Sequence, residues 1–168
     1  MESGVARWDS TSEIERKIYL NFPVYSAIAG LLAQKGTSTL KKYFGYLTIL
    51  NAMEHAFNSA LITIHLGYNI AKVITGVHEI DNIEKRKSIY DSYMDLHNNL
   101  FGINLGIKLR NNYWYLPVNI LEDMALVNVL EAAKVAKFID YNLYADNFDT
   151  YFNLINQDFD KLVYIRKL

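Results

Sequence analysis

Two segments of helical periodicity, 47–66 and 88–108, run almost without charge, and this narrows what the chain can fold into. Solvated helix faces normally use Lys, Glu and Arg. The first segment holds a single charged residue, Glu54, and the interior of the second holds no Lys, Arg or Glu before Lys108. Such helices are expected to be enclosed by protein on most sides. Yet each carries polar residues at fixed helical positions. A buried polar group left unpaired costs about 1–3 kcal/mol, so these groups are expected to bond to each other, to water, to a metal or to a substrate.

With about 100° of turn per residue, the first segment places Ile49, Leu50, Met53, Phe57, Ala60, Leu61 and Ile64 on one apolar face. Asn51, His55, Asn58, Ile62 and His65 form a stripe opposite. In the second segment Asp91, Asp95, Asn98, Asn99, Gly102 and Gly106 share one face, with Tyr93, His97, Leu100, Phe101 and Asn104 away from it. Glycine inside a helix costs roughly 1 kcal/mol relative to Ala. Two glycines four apart therefore predict close approach of another backbone or a ligand.

The rest of the chain also reads as helix. Its 168 residues include 2 Pro and 8 Gly, and no alternating strand pattern of any length. Expected helices cover 12–21, Val24–Lys35 ended by Gly36, 47–66 stopped at Gly67, 69–81, 88–108, and a helix opened by Pro117 that runs to about 139. Thr37–Phe44 reads as a short basic turn or helix closed by Gly45. Asn82–Ser88 reads as a solvated connector or helix start, and Asn111–Leu116 as an aromatic loop. In the tail beyond Asp140, Leu162–Ile165 reads as a short strand or an extended end. The fold class is all-α, one domain over 1–168, with about five to seven helices and two central helices whose polar stripes face each other.

Composition removes several functions. A net charge of −1 supplies no general basic surface for nucleic acid. The absence of Cys excludes disulfides, thiolate catalysis and cysteine zinc sites. No P-loop, G-x-G-x-x-G or G-x-S-x-G is present, so no nucleotide cofactor and no acyl-enzyme of the usual kind is expected. The N-terminus lacks the pattern of a signal peptide, and the longest nearly apolar run, Val24–Ala33, is shorter than the ~20 residues a bilayer needs. The expected location is the cytoplasm, or outside the cell by way of a dedicated secretion machine.

Two further carboxylates matter. In the 117–139 helix, Ile120, Met124, Val127 and Phe138 mark an expected inner face with Glu131 in its middle, and an inward Glu needs a partner. In the 69–81 helix, Ile70, Val73, Ile74 and Val77 mark the expected buried face, with His78 at its edge, and periodicity alone leaves Glu79 exposed.

Four motifs together resemble an uncharacterised bacterial α-helical domain, found alone and, in similar form, at the C-termini of polymorphic-toxin-like and Rhs-type proteins. They are Asn51-Ala52-x-x-His55-Ala56, Gly67-x-x-x-Ala71-Lys72, His78-Glu79 and Met94-Asp95-x-x-Asn98-Asn99-x-x-Gly102. The resemblance covers roughly 45–108. An aromatic residue often follows two positions after the His-Ala pair in that family, and Asn58 departs from it. The resemblance implies that His55, His78, Glu79, Asp95, Asn98 and Asn99 belong to one constellation, which argues against an exposed Glu79.

The chemistry expected of these residues is that of a hydrolase-type effector domain of open substrate class: lipid, nucleotide, glycan or protein. His55, His78, Glu79 and Asp95 are the candidate catalytic residues, and Asn51, Asn58, Asn98 and Asn99 the candidate substrate-binding ones. His55, His78, Glu79, Asp95 and Glu131 are candidate ligands if a divalent metal binds, although their spacing matches no strong zinc signature. The competing reading is a non-catalytic interaction or immunity-type module whose polar residues form a register-fixing hydrogen-bond network. His65, His97 and Asn104 are assigned to that network, Glu54 and Asp91 to either. Lys41–Lys42 and Lys85–Lys87 read as solvated surface, and the Tyr and Phe residues of 138–159 as packing.

Overall fold

The structure, a computed structural model, describes residues 13–44, 49–84, 89–140, 147–157 and 160–166. Its helices are α1 (Glu13–Asn21), α2 (Pro23–Phe44), α3 (Leu50–Leu66), α4 (Tyr68–Glu84), α5 (Ile89–Asn112), α6 (Val118–Lys134) and α7 (Phe148–Asn156). Two short strands, β1 (Lys137–Asp140) and β2 (Val163–Arg166), complete a single all-α domain. No helix among the described residues is long and apolar enough to cross a membrane. Gly45, the Lys85–Lys87 run and the start of the tail lie outside the described residues.

Helix α3 is the axis of the bundle. Its buried residues, from Leu50 through Ile64, include Ala52, Met53, Ala56, Phe57, Ala60, Leu61 and Ile62. They point to every side, as its lack of charge implies. Helices α2, α4, α5 and α6 pack around it. It ends at Gly67, whose φ of 86° suits glycine and whose N–H bonds the Thr63 carbonyl. The expected stop is observed there, and Pro23 opens α2 as expected.

Gly36 does not end a helix: α2 runs through it to Phe44. A Cβ at Gly36 would collide with the Asn58 side chain, so the small residue serves the α2–α3 contact. The helix opened by Pro117 ends at Lys134, short of 139, because residues 137–140 pair in parallel with 163–166, Lys137 opposite Val163. The tail thus forms a β1–α7–β2 unit with its own small core, in which Ile139, Tyr151, Ile155, Val163 and Ile165 pack on Met94 of α5. Asn147 caps α7 by accepting from the Thr150 N–H at 3.0 Å. Tyr151 is the buried aromatic of this unit, its hydroxyl bonded to the Tyr90 carbonyl at 2.7 Å, whereas Phe138 and Phe152 are largely exposed.

The buried face of α6 is rotated from the expected one. Leu121, Glu122, Ala125 and Val129 are buried, while Ile120, Val127 and Phe138 are exposed. Glu131 therefore points outward and pairs with Lys134 at 2.6 Å on the surface. It does not face inward as expected, and it lies outside the group of His and carboxylate side chains that could hold a metal ion.

Candidate functional site

The α3–α5 contact sets the site. Glycines on α5 let the two backbones meet: a Cβ on Gly102 would lie 2.8 Å from the Ala56 carbonyl carbon, and one on Gly106 would lie 2.9 Å from the Ala60 carbonyl oxygen. The close backbone approach expected from the paired glycines is therefore observed. It brings a row of α3 residues spaced by four, Asn51, His55 and Ser59, against Asp95 and Asn99 of α5. The Asn51 amide donates to Asp95 Oδ1 at 2.8 Å, and the Ser59 hydroxyl donates to Asn99 Oδ1 at 2.8 Å.

His55 lies at the centre. Its Nε2 faces Asp95 Oδ1 at 3.3 Å. Its Nδ1 faces two oxygens, Asn99 Oδ1 at 3.2 Å and Glu79 Oε1 at 3.4 Å. A neutral imidazole has one N–H and one lone pair. Oxygen thus stands at both ring nitrogens, while the neutral ring can donate to one side only.

Glu79 arrives from α4 and is fully buried, contrary to its periodicity. The inner line of α4 is Ala71, Thr75 and Glu79, each four residues on, while Val73 of the expected apolar set lies exposed, as does Ile80. The Asn99 amide donates to Glu79 Oε1 at 3.3 Å, so one carboxamide holds Glu79 and, through its own oxygen, faces His55.

The environment disfavours the protonated form of His55. Burial pushes the imidazole below its usual range; Glu79 and the Asn99 contact pull the other way without reversing it, and nearby His78 adds to the lowering. The His55 side chain keeps 18% of its exposure, and Asn51 is exposed, so the cluster opens to solvent along the Asn51 edge.

The remaining expected site residues separate from this cluster. His78 stands at the rim, half exposed, with Nδ1 3.4 Å from Glu15 Oε1 of α1. Glu15 is buried and also accepts from the Tyr19 hydroxyl at 2.6 Å. Asn58 turns to α2, where its amide donates to the Thr37 hydroxyl at 3.2 Å. Asn98 is fully buried against β2: its amide donates to the Val163 carbonyl at 2.8 Å, and its oxygen accepts from the Val163 N–H at 3.0 Å. Both ends of Asn98 are taken by backbone, whereas Asn58 keeps a buried Oδ1 without a hydrogen-bond partner; neither side chain joins the His55 cluster.

His97 bonds the Lys161 carbonyl at 2.9 Å and His65 bonds Glu122 at 2.8 Å, both in keeping with the network assignment; Asn104 is exposed. Glu54 stays at the edge, its carboxyl raised by burial against the opposing pull of Lys41 at 3.9 Å. Sequence reasoning missed Ser59, Glu15 and Tyr19. Ser59 was detectable, being the next residue by four after Asn51 and His55. Glu15 and Tyr19 were not, since nothing local distinguishes them from an ordinary amphipathic helix.

Fold and site together define an all-α domain with a His–carboxylate cluster where three helices converge. The chain belongs to the family described as "Domain of unknown function (DUF6973)", whose model matches residues 16–135. That span holds the whole cluster and stops before β1. No curated protein and no solved structure shows a significant match to the chain.

Proposed function

We propose that this protein is a hydrolase-type effector domain in which the His55–Glu79–Asp95 cluster activates water. The observation that carries the reading is the bracketing of His55, with an acceptor oxygen against each ring nitrogen and 18% of its side chain still exposed. In its acid–base form, His55 takes a proton from water as the oxygen attacks an electrophilic centre. It then returns that proton to the leaving group. Glu79 and Asp95 stabilise the imidazolium formed in between. Asn51, exposed and hydrogen-bonded to Asp95, is the substrate-facing group, and Asn99 is a positioning residue acting through Glu79 and His55.

The effector class rests on the motif resemblance to domains of polymorphic-toxin-like and Rhs-type bacterial proteins. It carries with it delivery by a dedicated secretion machine. Substrate class stays at the level of a hydrolysable bond.

Growth of a bacterial host expressing the wild type, His55→Ala or Asp95→Asn tests the reading. The expected result is growth inhibition by the wild type alone, with the circular dichroism and thermal midpoint of both variants near wild type. Inhibition that survives His55→Ala overturns the proposal. Variants that lose both phenotype and fold favour the alternative, a structural network in a non-catalytic module.

A further inference from the structure

We infer that a divalent first-row transition ion binds between His55, Glu79 and Asp95, and that water activation runs through it. The inference rests on the hydrolase reading for its purpose, but its geometry is independent of any substrate. One His55 nitrogen and one oxygen from each carboxylate lie within 4.8 Å of one another. Metal–ligand bonds of about 2.1 Å put neighbouring ligand atoms about 3.0 Å apart at a right angle, about 3.4 Å at a tetrahedral angle, and about 4.2 Å when opposed. An ion takes one imidazole nitrogen, so one of the two contacts, Nε2 to Asp95 at 3.3 Å or Nδ1 to Glu79 at 3.4 Å, matches a ligand edge, and the other carboxylate oxygen completes the set within 4.8 Å. Both contacts are long for charged hydrogen bonds, which run at about 2.7–2.9 Å.

The donor set has a chemical preference. One imidazole with two carboxylates suits Zn, Mn or Fe better than Mg or Ca, which favour all-oxygen sites. Three protein ligands leave positions open for water, as catalytic sites require. Each carboxylate oxygen that faces His55 is also held by a carboxamide, Asp95 Oδ1 by Asn51 and Glu79 Oε1 by Asn99, which fixes its orientation. The ligands come from three helices, α3, α4 and α5, so their spacing is fixed by helix packing and not by a loop.

Full-chain protein stripped with chelator and dialysed would be titrated with Zn²⁺ and with Mn²⁺ by calorimetry. The expected result is one ion per chain at micromolar or tighter affinity, with a higher thermal midpoint. His55→Ala, Glu79→Gln and Asp95→Asn should each weaken binding at least about tenfold. His65→Ala, which removes the separate His65–Glu122 pair, should leave it unchanged. No saturable uptake of either ion by the wild type overturns the inference. So does uptake that His65→Ala abolishes and the three site variants preserve. Should His55→Ala fail to fold, the isosteric pair Glu79→Gln and Asp95→Asn carries the comparison. A stripped protein that still inhibits growth in chelator sinks the metal and leaves the acid–base hydrolase. A bound ion with growth inhibition unaffected by His55→Ala sinks the hydrolase and leaves the metal site.

Discussion

At the scale of single residues, the α3–α5 contact depends on Gly102. A Cβ there meets the Ala56 backbone, 2.8 Å from its carbonyl carbon and 3.0 Å from its Cα, and backbone atoms cannot rotate away. Gly102→Ala must push α5 off α3, and overpacking of this kind costs about 1–3 kcal/mol. Gly30 and Gly76, also inside helices, have nothing within 4 Å of an added Cβ. Alanine at either should stabilise by up to about 1 kcal/mol through helix propensity. Urea midpoints of the three variants test the contrast; a Gly102→Ala midpoint at or above wild type contradicts it. His55, Asp95 and Asn99 are legible in the sequence for the same reason Gly102 is: each is out of place in an uncharged helix. Glu79 is illegible by that route. Val73 and Ile80 sit exposed on α4 and blur its apolar phase, so only the motif resemblance brings Glu79 inward.

At the scale of elements, α2, α3 and α6 are clamped by Glu122, the acid that Glu131 was expected to be. Glu122 accepts from Lys35 at 2.6 Å and from His65 at 2.8 Å. Burial alone would raise its carboxyl, but these two hydrogen bonds and the Lys35 charge outweigh burial and hold it below the usual range. The folded pKa is therefore lower than the unfolded one, about 4.3. The clamp contributes in full above that value and is lost as pH falls through the folded pKa. Glu122→Gln should flatten the fall in stability between about pH 5 and pH 3. Urea midpoints across that window check it, and equal slopes in the two proteins would refute it. The error behind Glu131 has a physical source. Apolar residues sit on both sides of α6, with Val127 exposed and Val129 buried, so the stripe can be drawn one residue out of phase. Gly36 misled in a related way, because a glycine that ends a helix and one that admits a neighbouring side chain look alike in a single sequence.

At the scale of the molecule, the β1–α7–β2 unit is joined to the bundle through α5. It lies outside the matched family span, has its own small core, and was the least legible part of the chain. Its strands are four residues each and gain regularity only by pairing with a partner 26 positions away, Lys137 with Val163. Asn98 is the main polar join, holding both the N–H and the carbonyl of Val163. Asn98→Ala strips partners from two buried backbone groups, at about 1–3 kcal/mol each. Because Met94 and the strand residues cluster apart from the main core, that loss should fall on local opening of the tail. Hydrogen exchange is expected to quicken at 137–140 and 163–166 while the amides of α3 stay protected. Equal acceleration in α3 would show that tail and bundle unfold as one unit, and no acceleration anywhere would show that the Asn98 join is dispensable. The neighbouring residue gives the experiment a second use. Asn99 contacts His55 and Glu79 one position along α5, so metal affinity measured on Asn98→Ala reports whether the tail steadies the site from behind. If the helix packing alone fixes the cluster, affinity is retained while the tail opens.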